Sequence, residues 1–529
     1  MATRSKPRSL PAKNRNGAAE VPTPESVQNG VASDGGSKVP VAVPRAAVNA
    51  FVNETQYAPA PESADHVRLE KKYPLFIDGQ WQEPSDGGWM KTINPATEAT
   101  IAEVATAGQN DVERAVVAAR EAQGKWARLP ALERGKYLFR VARLIQERSR
   151  ELAIIESMNG GKPIREARDV DLPIVAQHLF YHAGWADKLQ YAFPGETPAP
   201  LGVVGQIIPW NFPLMMAAWK IAPALACGNT VVLKPAETTP LTAMKLAEIF
   251  QDAGLPEGVV NIINGGGSTG AALVNHAGLD KIAFTGSTEV GKGIMKALAG
   301  TGRQYTLELG GKAAHIIFED APLDEAVEGI VNGIFFNQGH VCCAGSRVLI
   351  QESVADVVVA RLKRRLDTLI VGDPLDKNTD IGAINSREQL NRITTLVNAG
   401  IEEGACIYQP PQPLPSRGFY FAPTIFTETA QSHRIVQEEI FGPVVTIQTF
   451  RTPEEAIEKA NNTRYGLSAG VWTDKGAKIF KTTSALRAGV VWANTFNRFD
   501  PSAPFGGYKE SGVGREGGLQ GLRSYLRFE

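Results

Sequence analysis

Two adjacent cysteines lie in the stretch FFNQGHVCCAG, which runs from Phe335 to Gly345. Cysteine attacks as the thiolate, and a free thiol with a pKa of about 8.5 needs help from its surroundings to form it. The chain has 529 residues and only four cysteines, so a neighbouring pair predicts a nucleophile at Cys342 or Cys343. These residues alone do not show which of the two sulfurs is activated.

Two further motifs carry side chains suited to acyl chemistry. Glu308 lies in LELGGK between two leucines, and an acid in an apolar setting has a raised pKa and can act as a general base. Asn211 lies in PWNFP, where two prolines fix the backbone, so its amide could donate to a developing oxyanion. The alternatives are an acid at a strand edge facing water and an Asn that caps a helix.

A third group of motifs could bind a nucleotide. FTGSTEVG places Gly286 at the end of a strand, with Ser287 and Thr288 as N-cap candidates for the next helix. Such a helix start offers free N–H groups and a positive dipole end to a phosphate, although Ser and Thr also cap helices that bind nothing. In KPAE, Lys234 and Glu237 follow a strand and could hold ribose hydroxyls, or they could form a surface turn.

The elements that must position these residues alternate along the chain. Strand-like runs such as LGVVGQIIP, TVVLKP and KIAFTG are followed by helical runs such as LMMAAWKIAPALACG and STEVGKGIMKALAG. A second alternating block starts at HIIFED, runs to about Val445 and holds the two cysteines. An amphipathic helix is predicted from Gln109 to Gln123. This alternation predicts an α/β fold of parallel sheets with helices on both faces.

Composition excludes several classes of function. A net charge of −1 lacks the basic stripe that nucleic acid requires, and no apolar run approaches the length of a membrane span. Four cysteines do not form a disulfide framework, no metal-ligand spacing occurs, and no signal peptide is visible, so a cytoplasmic protein without a metal is expected. The start of the chain is rich in Ala, Pro and Ser and is expected to be disordered.

Taken together, the motifs resemble those of the aldehyde dehydrogenase superfamily. PWNFP, KPAE, FTGSTEVG, LELGGK, FNQGHVCCAGSR, EEIFGPV and PFGGYKESGVGRE occur in the order and approximate spacing of that family, from about Tyr73 to Phe528. The resemblance implies two doubly wound parallel-sheet domains, an NAD-binding Rossmann-like domain and a catalytic domain, with a reduced oligomerisation arm. The implied boundaries are a disordered tail at 1–66, the NAD-binding domain at 67–308 with a short arm at 189–201, the catalytic domain at 309–490, and a C-terminal segment at 491–529 that returns to the NAD-binding domain.

The resemblance also implies a reaction and assigns roles. An aldehyde is oxidised to a carboxylate with NAD, through a thiohemiacetal and a thioester on Cys342. Asn211 supplies an oxyanion donor, Glu308 activates water, and Glu516 relays protons. Glu237 would repel a 2′-phosphate, which favours NAD over NADP. The residues implied to hold the cofactor are Ile208, Pro209, Trp210, Lys234, Glu237, Gly267, Gly286, Ser287, Gly291, Glu439 and Phe441.

The same mapping predicts an apolar substrate tunnel that suits an aliphatic or aromatic aldehyde. Its candidates are Met216, Trp219, Phe336, Val341, Phe499 and Phe505, with Asp500 as a polar neighbour. His340 replaces the family's usual Gln and is predicted to be a solvated loop residue, which would tune the pKa of Cys342 if it were charged and close. A CoA-acylating relative and a non-catalytic structural subunit are the alternatives, and intact Glu308, Cys342 and Asn211 disfavour them.

The expected assembly departs from the family pattern. The arm region LQYAFPGETPAPL is short, Pro198 and Pro200 are expected to discourage sheet pairing, and the chain reaches its end where the last strand should begin. The family's tetramer is therefore not expected. A homodimer, or a complex with a related chain, is predicted instead.

Overall fold

The structure, a computed structural model, describes residues 58–85 and 88–528. Most of the predicted tail lies outside these residues. Its last part is described and is packed against the folded chain, because Glu62 is buried and forms ion pairs with Arg150 and Lys377. Pro61 also forms a bridge with Asp376. The described end of the predicted tail therefore lies against the folded chain through Pro61 and Glu62.

The described residues form two large sheets, with helices between the strands. The strands in chain order are β1 Lys72–Tyr73, β2 Leu75–Ile77, β3 Gln80–Gln82, β4 Gly88–Asn94, β5 Ala99–Thr106, β6 Pro198–Pro200, β7 Val203–Ile207, β8 Thr230–Lys234, β9 Val260–Ile262, β10 Lys281–Thr285, β11 Gln304–Glu308, β12 Ala314–Ile317, β13 Arg347–Gln351, β14 Cys406–Tyr408, β15 Thr424–Thr427, β16 Val444–Phe450, β17 Tyr465–Gly466, β18 Ser468–Trp472, β19 Val490–Ala493, β20 Tyr508–Lys509, β21 Gly512–Val513 and β22 Leu526–Phe528. The α-helices are α1 Gln109–Arg128, α2 Ala131–Glu147, α3 Ser149–Gly160, α4 Ile164–Glu166, α5 Leu172–Trp185, α6 Leu189–Ala192, α7 Pro213–Ala226, α8 Leu241–Asp252, α9 Gly267–Asn275, α10 Thr288–Leu298, α11 Leu323–Ile334, α12 Ala355–Leu366, α13 Arg387–Glu402, α14 Arg434–Gln437, α15 Pro453–Asn461, α16 Gly476–Ala485 and α17 Gly518–Arg523.

The first sheet has eight strands in the order β21-β11-β10-β7-β8-β9-β2-β3. Its central strands β11, β10, β7, β8 and β9 pair in parallel, whereas β21 and β2 join antiparallel. Strands β7, β8 and β10 are buried along their whole length, as expected for parallel strands covered on both faces. Helices α7, α8 and α10 follow strands of this sheet, so their N-termini lie near its carboxyl edge.

The second sheet has seven strands in the order β14-β15-β16-β13-β12-β18-β19. All of its pairs are parallel except that of β14 with β15. The two cysteines lie in the loop between α11 and β13. The predicted α/β fold with two doubly wound parallel sheets is confirmed. The helix predicted from Gln109 to Gln123 is present and runs on to Arg128.

The expectation that the arm would not pair and that the last strand would be missing is wrong. Strand β22 pairs antiparallel with β6, with Arg527 opposite Ala199 and the two prolines opposite Leu526 and Phe528. In an antiparallel strand, alternate residues point their N–H groups at the partner strand. Ala199 can therefore form the backbone hydrogen bonds to β22, while Pro198 and Pro200 occupy positions that need no N–H. The rings of Phe193 and Phe528 pack at 5.2 Å between centroids, which ties the arm to the C-terminal segment of the same chain.

Candidate active site

A cavity of about 670 Å³ lies where the carboxyl edge of the first sheet meets the loop before β13. Many of the residues singled out in the sequence line it: Pro209, Trp210, Asn211, Met216, Trp219, Gly286, Ser287, Glu308, Phe336, Val341, Cys342, Cys343, Glu439, Phe441, Phe499, Phe505 and Glu516. Ile208, Lys234, Glu237, Gly267 and Gly291 do not line it. The fold thus gathers, in one cavity, motifs that are separated by hundreds of residues in the chain.

The two cysteines differ in exposure. Cys342 is partly exposed at the cavity, whereas Cys343 is buried, with its thiol 3.5 Å from Asn497 Oδ1. A hydrogen bond with the Cys343 side chain and burial raise the pKa of the Cys342 thiol well above its ordinary value. Cys342 therefore needs a base or a bound electrophile nearby before it can react as a thiolate.

A strained turn precedes the cysteines. Asn337, Gln338 and Gly339 have φ values of 48°, 54° and 75°, a left-handed run that side-chain-bearing residues rarely adopt. A side chain at Gly339 would lie 2.1 Å from the Gly442 carbonyl oxygen, so only glycine fits there. The Asn337 N–H donates to Glu166 Oε2 at 2.8 Å, and Gln338 Nε2 donates to the Ala383 carbonyl oxygen at 2.9 Å. Buried hydrogen bonds thus hold this turn in shape.

Asn211 is tied to the same loop. Its Nδ2 donates to the His340 carbonyl oxygen at 2.8 Å, and its own carbonyl oxygen accepts from Asn337 Nδ2 at 2.8 Å. Helix α7 begins at Pro213 with Phe212 at the N-cap, so Asn211 does not cap it. An amide carries two N–H groups, and one remains for a ligand in the cavity.

Glu308 ends β11 and is buried, which excludes an acid at a strand edge facing water. Neither carboxyl oxygen has a hydrogen-bond partner among the described residues. Burial, followed by the negative charge of Glu516, raises the pKa of Glu308 well above its ordinary value. Glu516 itself forms a buried ion pair with Lys220 of α7. Glu308 is thus an unpartnered acid that faces the same cavity as Cys342.

The expectation that His340 is solvated is wrong. Its ring is buried, with centroids 4.8 Å from Trp210 and 5.8 Å from Phe441. Burial lowers the pKa of His340 to about 3. The ring is therefore neutral near pH 7 and cannot promote the Cys342 thiolate by its charge. It packs between two side chains predicted to contact the cofactor.

The residues around the start of α10 fit the nicotinamide cofactor that the motifs imply. Ser287 caps this helix by accepting a hydrogen bond from Val290 N, and Ser287, Thr288 and Glu289 at the helix N-terminus line the cavity. Thr285 Oγ1 and Thr288 Oγ1 are buried without a partner among the described residues. Gly267, at the start of α9, has no heavy atom within 4 Å of the place where a side chain would begin. Free donors and open backbone fit a dinucleotide.

Charged groups flank this region. Lys234 Nζ is buried, donates to the Pro235 carbonyl oxygen at 2.8 Å and lies 3.8 Å from the exposed carboxylate of Glu237. On the other side, Glu439 Oε1 accepts from Gly311 N at 2.9 Å, and Phe441 stands in the left-handed region at φ 57°. The carboxylates of Glu237 and Glu439, one on each side of this region, suit the hydroxyl groups of a ribose.

Several residues of the site escaped sequence reasoning. Glu166, Asn337 and Lys220 come from three separate elements, and only tertiary contacts reveal what they do. Asn337 and Gln338 precede Gly339 in FNQG, and a polar pair before glycine is a signal for a turn that the sequence analysis did not use. Within the described residues, no group of three His, Cys, Asp or Glu side chains is placed to hold a metal, and no helix is long and apolar enough to cross a membrane.

Comparison with known proteins agrees with this geometry. The profile of the aldehyde dehydrogenase family matches residues 81–529. Retinal dehydrogenase 2 of Rattus norvegicus is 46% identical over 490 residues, which cover 90% of this chain and 94% of that protein. The mitochondrial benzaldehyde dehydrogenase of Antirrhinum majus is 44% identical over 465 residues, which cover 86% of this chain and 87% of that protein.

The solved structures give the same result. The NAD⁺ complex of an aldehyde dehydrogenase from Bacillus cereus superposes with a TM-score of 0.84 at 41% identity, over 88% of this chain and 98% of that one. The chain therefore belongs to the aldehyde dehydrogenase family. It is an enzyme that oxidises an aldehyde to a carboxylate with NAD as its cofactor.

Proposed function

We propose that Cys342 is the nucleophile of this reaction. The observation that carries the proposal is that Cys342, the free N–H of Asn211 and the unpartnered Glu308 line one cavity. The Cys342 thiolate attacks the aldehyde carbon, and the oxygen of the resulting thiohemiacetal takes the negative charge. The Asn211 amide and the Cys342 backbone N–H stabilise that charge, and loss of one such donor typically costs about 10²–10³ in rate.

Glu308 is proposed to act as the general base. It activates the water that hydrolyses the Cys342 thioester, which releases the carboxylate product and returns the thiol. Because Glu308 has no other hydrogen-bond partner among the described residues, its carboxylate is free to hold that water. The Lys220–Glu516 pair lies close enough for its charge to act on Glu308, which makes Glu516 the next group for proton transfer.

Bound NAD would supply the hydride acceptor, and loss of hydride from the thiohemiacetal carbon would leave the thioester on Cys342 that Glu308 helps to hydrolyse. The residues proposed to bind it are Ile208, Pro209, Trp210, Lys234, Glu237, Gly267, Gly286, Ser287, Gly291, Glu439 and Phe441. Glu237 would hold the adenosine ribose and disfavour a 2′-phosphate there. Glu439 and Phe441 would orient the nicotinamide ribose and ring beside Cys342.

The proposed substrate is a bulky apolar or aromatic aldehyde. Aromatic rings enclose the cavity beside the nucleophile: Trp219, Phe499 and Phe505 contact one another at 5.7–6.1 Å, and Phe336 stacks on Phe212 at 6.2 Å. The relatives are named for retinal and benzaldehyde, which are both apolar aldehydes. Asp500 contacts Ser502 and does not line the cavity, so we do not assign it a role in substrate binding.

We propose that the protein is cytoplasmic and that it forms a homodimer or a complex with a related chain. The four cysteines are free, as a reducing compartment requires. The arm strand β6 and the C-terminal strand β22 bond to each other in one chain, so one edge of each strand is already paired.

The nucleophile is tested with two matched variants. Cys342→Ser is expected to abolish NADH production from NAD and an aromatic aldehyde, while Cys343→Ser retains most of it, because Cys342 is partly exposed whereas Cys343 is buried. Rates are compared after circular dichroism has shown that both variants fold. Equal loss in the two folded variants would contradict the assignment.

A further inference from the structure

A second, small cavity lies beside the active site. It has a volume of about 20 Å³ and is lined by Lys312 and Arg347, together with residues of the segment from Ala460 to Ala469. Tyr465 lines this cavity and also the active-site cavity, so the two are neighbours. This volume exceeds the roughly 10–15 Å³ that one water molecule needs, so the cavity admits one water molecule or one monatomic ion and is too small for a phosphate or a carboxylate ligand.

Two of the side chains that line this cavity, those of Lys312 and Arg347, are buried cations, and a third cation in the lining, Arg487, is exposed. Lys312 is 2% exposed, and its Nζ has no hydrogen-bond partner among the described residues. Arg347 is 1% exposed and donates only to carbonyl oxygens, those of Lys312 at 2.9 Å, Lys459 at 2.9 Å and Ala460 at 2.8 Å. A buried charge without a counter-charge is costly, so this pair needs an anion or must lose a proton.

Among the described residues, no carboxylate forms a hydrogen bond with Lys312 Nζ. The acids that act on Lys312 are Glu439, which accepts from Gly311 N, and Glu438, which pairs with Arg434 at 2.7 Å. Burial, followed by the charge of Arg347, lowers the pKa of Lys312 to about 7. The positive potential extends to Lys509. Burial lowers the pKa of Lys509 most, and the charges of Arg487 and Arg347 lower it further.

We propose that this cavity binds a monatomic anion, chloride in ordinary buffers, between Lys312 Nζ and the Arg347 guanidinium. A water molecule would give Lys312 an acceptor but would leave the charge of Arg347, and that of protonated Lys312, uncompensated. Arg347 has five N–H groups and uses three of them on the carbonyls, so donors remain for the ion.

The ion also stabilises the neighbouring active site. Lys312 follows Gly311, whose N–H donates to Glu439. The backbone of Gly311 lies against the Cys342 carbonyl, because a side chain at Gly311 would come within 2.3 Å of that oxygen. An anion that fixes Lys312 therefore fixes the backbone against which the Cys342 loop packs.

Bromide diffraction on the unmodified full chain tests the proposal directly. Crystals grown in sodium bromide are expected to show an anomalous peak in the cavity, about 3.3 Å from Lys312 Nζ, a contact slightly longer than an N–H···O hydrogen bond. A water molecule refined at that position, or no anomalous peak there, overturns the proposal.

Thermal unfolding gives a second readout. The unmodified protein is expected to have a Tm about 2 °C higher in 0.1 M chloride than in gluconate of the same ionic strength. Lys312→Met should remove that difference, whereas Lys136→Met, a control at an exposed lysine of α2, should retain it. The same chloride effect in Lys312→Met would overturn the proposal. If Lys312→Met does not fold, the bromide experiment decides.

Discussion

Glu308 shows how burial sets the chemistry of a single side chain. Its carboxyl group is buried, has no partner among the described residues and lies near the negative charge of Glu516. Both effects favour the neutral acid and raise its pKa. A protonated Glu308 cannot accept a proton from water, so hydrolysis of the thioester should speed up as pH rises through that raised pKa.

Glu308→Gln is expected to retain a first burst of NADH and to slow steady-state turnover by at least about 10²-fold, since general-base catalysis contributes about 10²–10⁴. Acylation needs the thiolate of Cys342, whereas hydrolysis of the thioester needs the base. Stopped-flow absorbance across the pH range measures both phases, and the rising limb of turnover should flatten in the variant. Loss of the burst together with turnover would show that Glu308 also deprotonates Cys342.

Glu237 carries the prediction for cofactor choice. Its carboxylate is exposed and lies 3.8 Å from Lys234 Nζ, where it would bond a ribose 2′-hydroxyl and repel a 2′-phosphate. Glu237→Gln removes the charge and retains a polar amide, so the ratio of kcat/KM for NAD to that for NADP should fall about tenfold or more. Glu113→Gln, at an exposed acid on α1, serves as the control. Equal efficiency with both cofactors in the unmodified protein would refute the prediction.

At the scale of elements, short α4 and the loop before β13 meet through one hydrogen bond. Glu166 ends α4 and accepts the N–H of Asn337 at 2.8 Å, in a turn with consecutive left-handed residues. Burial raises the pKa of Glu166 to about 8. Either protonation state retains an oxygen that can accept this hydrogen bond, so the contact survives across the neutral range.

Glu166→Leu should therefore lower kcat about tenfold or more, because a buried N–H left without a partner costs about 1–3 kcal/mol and loosens the loop that carries Cys342. Glu166→Gln retains an acceptor oxygen and should keep most of the activity. Burst amplitude and Tm are measured for both variants. If Glu166→Leu lowers Tm while kcat stays unchanged, the contact stabilises the fold without positioning the nucleophile.

At the scale of the whole molecule, the pairing of β6 with β22 bears on assembly. Their two-stranded ladder joins the arm to the C-terminal segment within one chain, and Arg523 pairs with Glu196 at 3.0 Å across the same contact. Each strand of a two-stranded sheet is bonded along one edge, so this ladder does not by itself close the other edge to a partner subunit. The prediction of a small assembly rests instead on the short arm, in which Pro198 and Pro200 lack the N–H groups that a sheet extended across subunits needs.

Multi-angle light scattering of the full chain at micromolar concentration is expected to give a dimer, or a monomer that pairs with a related chain when the two are mixed. Arg523→Ala with Phe528→Ala, which weakens the β6–β22 contact, should leave any dimer formed through other surfaces intact. A homotetramer that survives dilution would contradict the prediction.

The sequence by itself determined the α/β class, the family resemblance and the gathering of Cys342, Glu308 and Asn211 in one site. Local signals sufficed for the α/β class, because strand and helix periodicity depends on neighbours in the chain, whereas the choice of Cys342 and its grouping with Glu308 and Asn211 came from the family resemblance. It did not determine the burial of His340, the pairing of Pro198 and Pro200 in β6, or the role of Glu166. Each depends on partners distant in the chain: Trp210 and Phe441 for His340, β22 for β6, and Asn337 for Glu166. Only the packed chain decides which side chains lose water, and water loss sets the pKa of Glu308, His340 and Lys312.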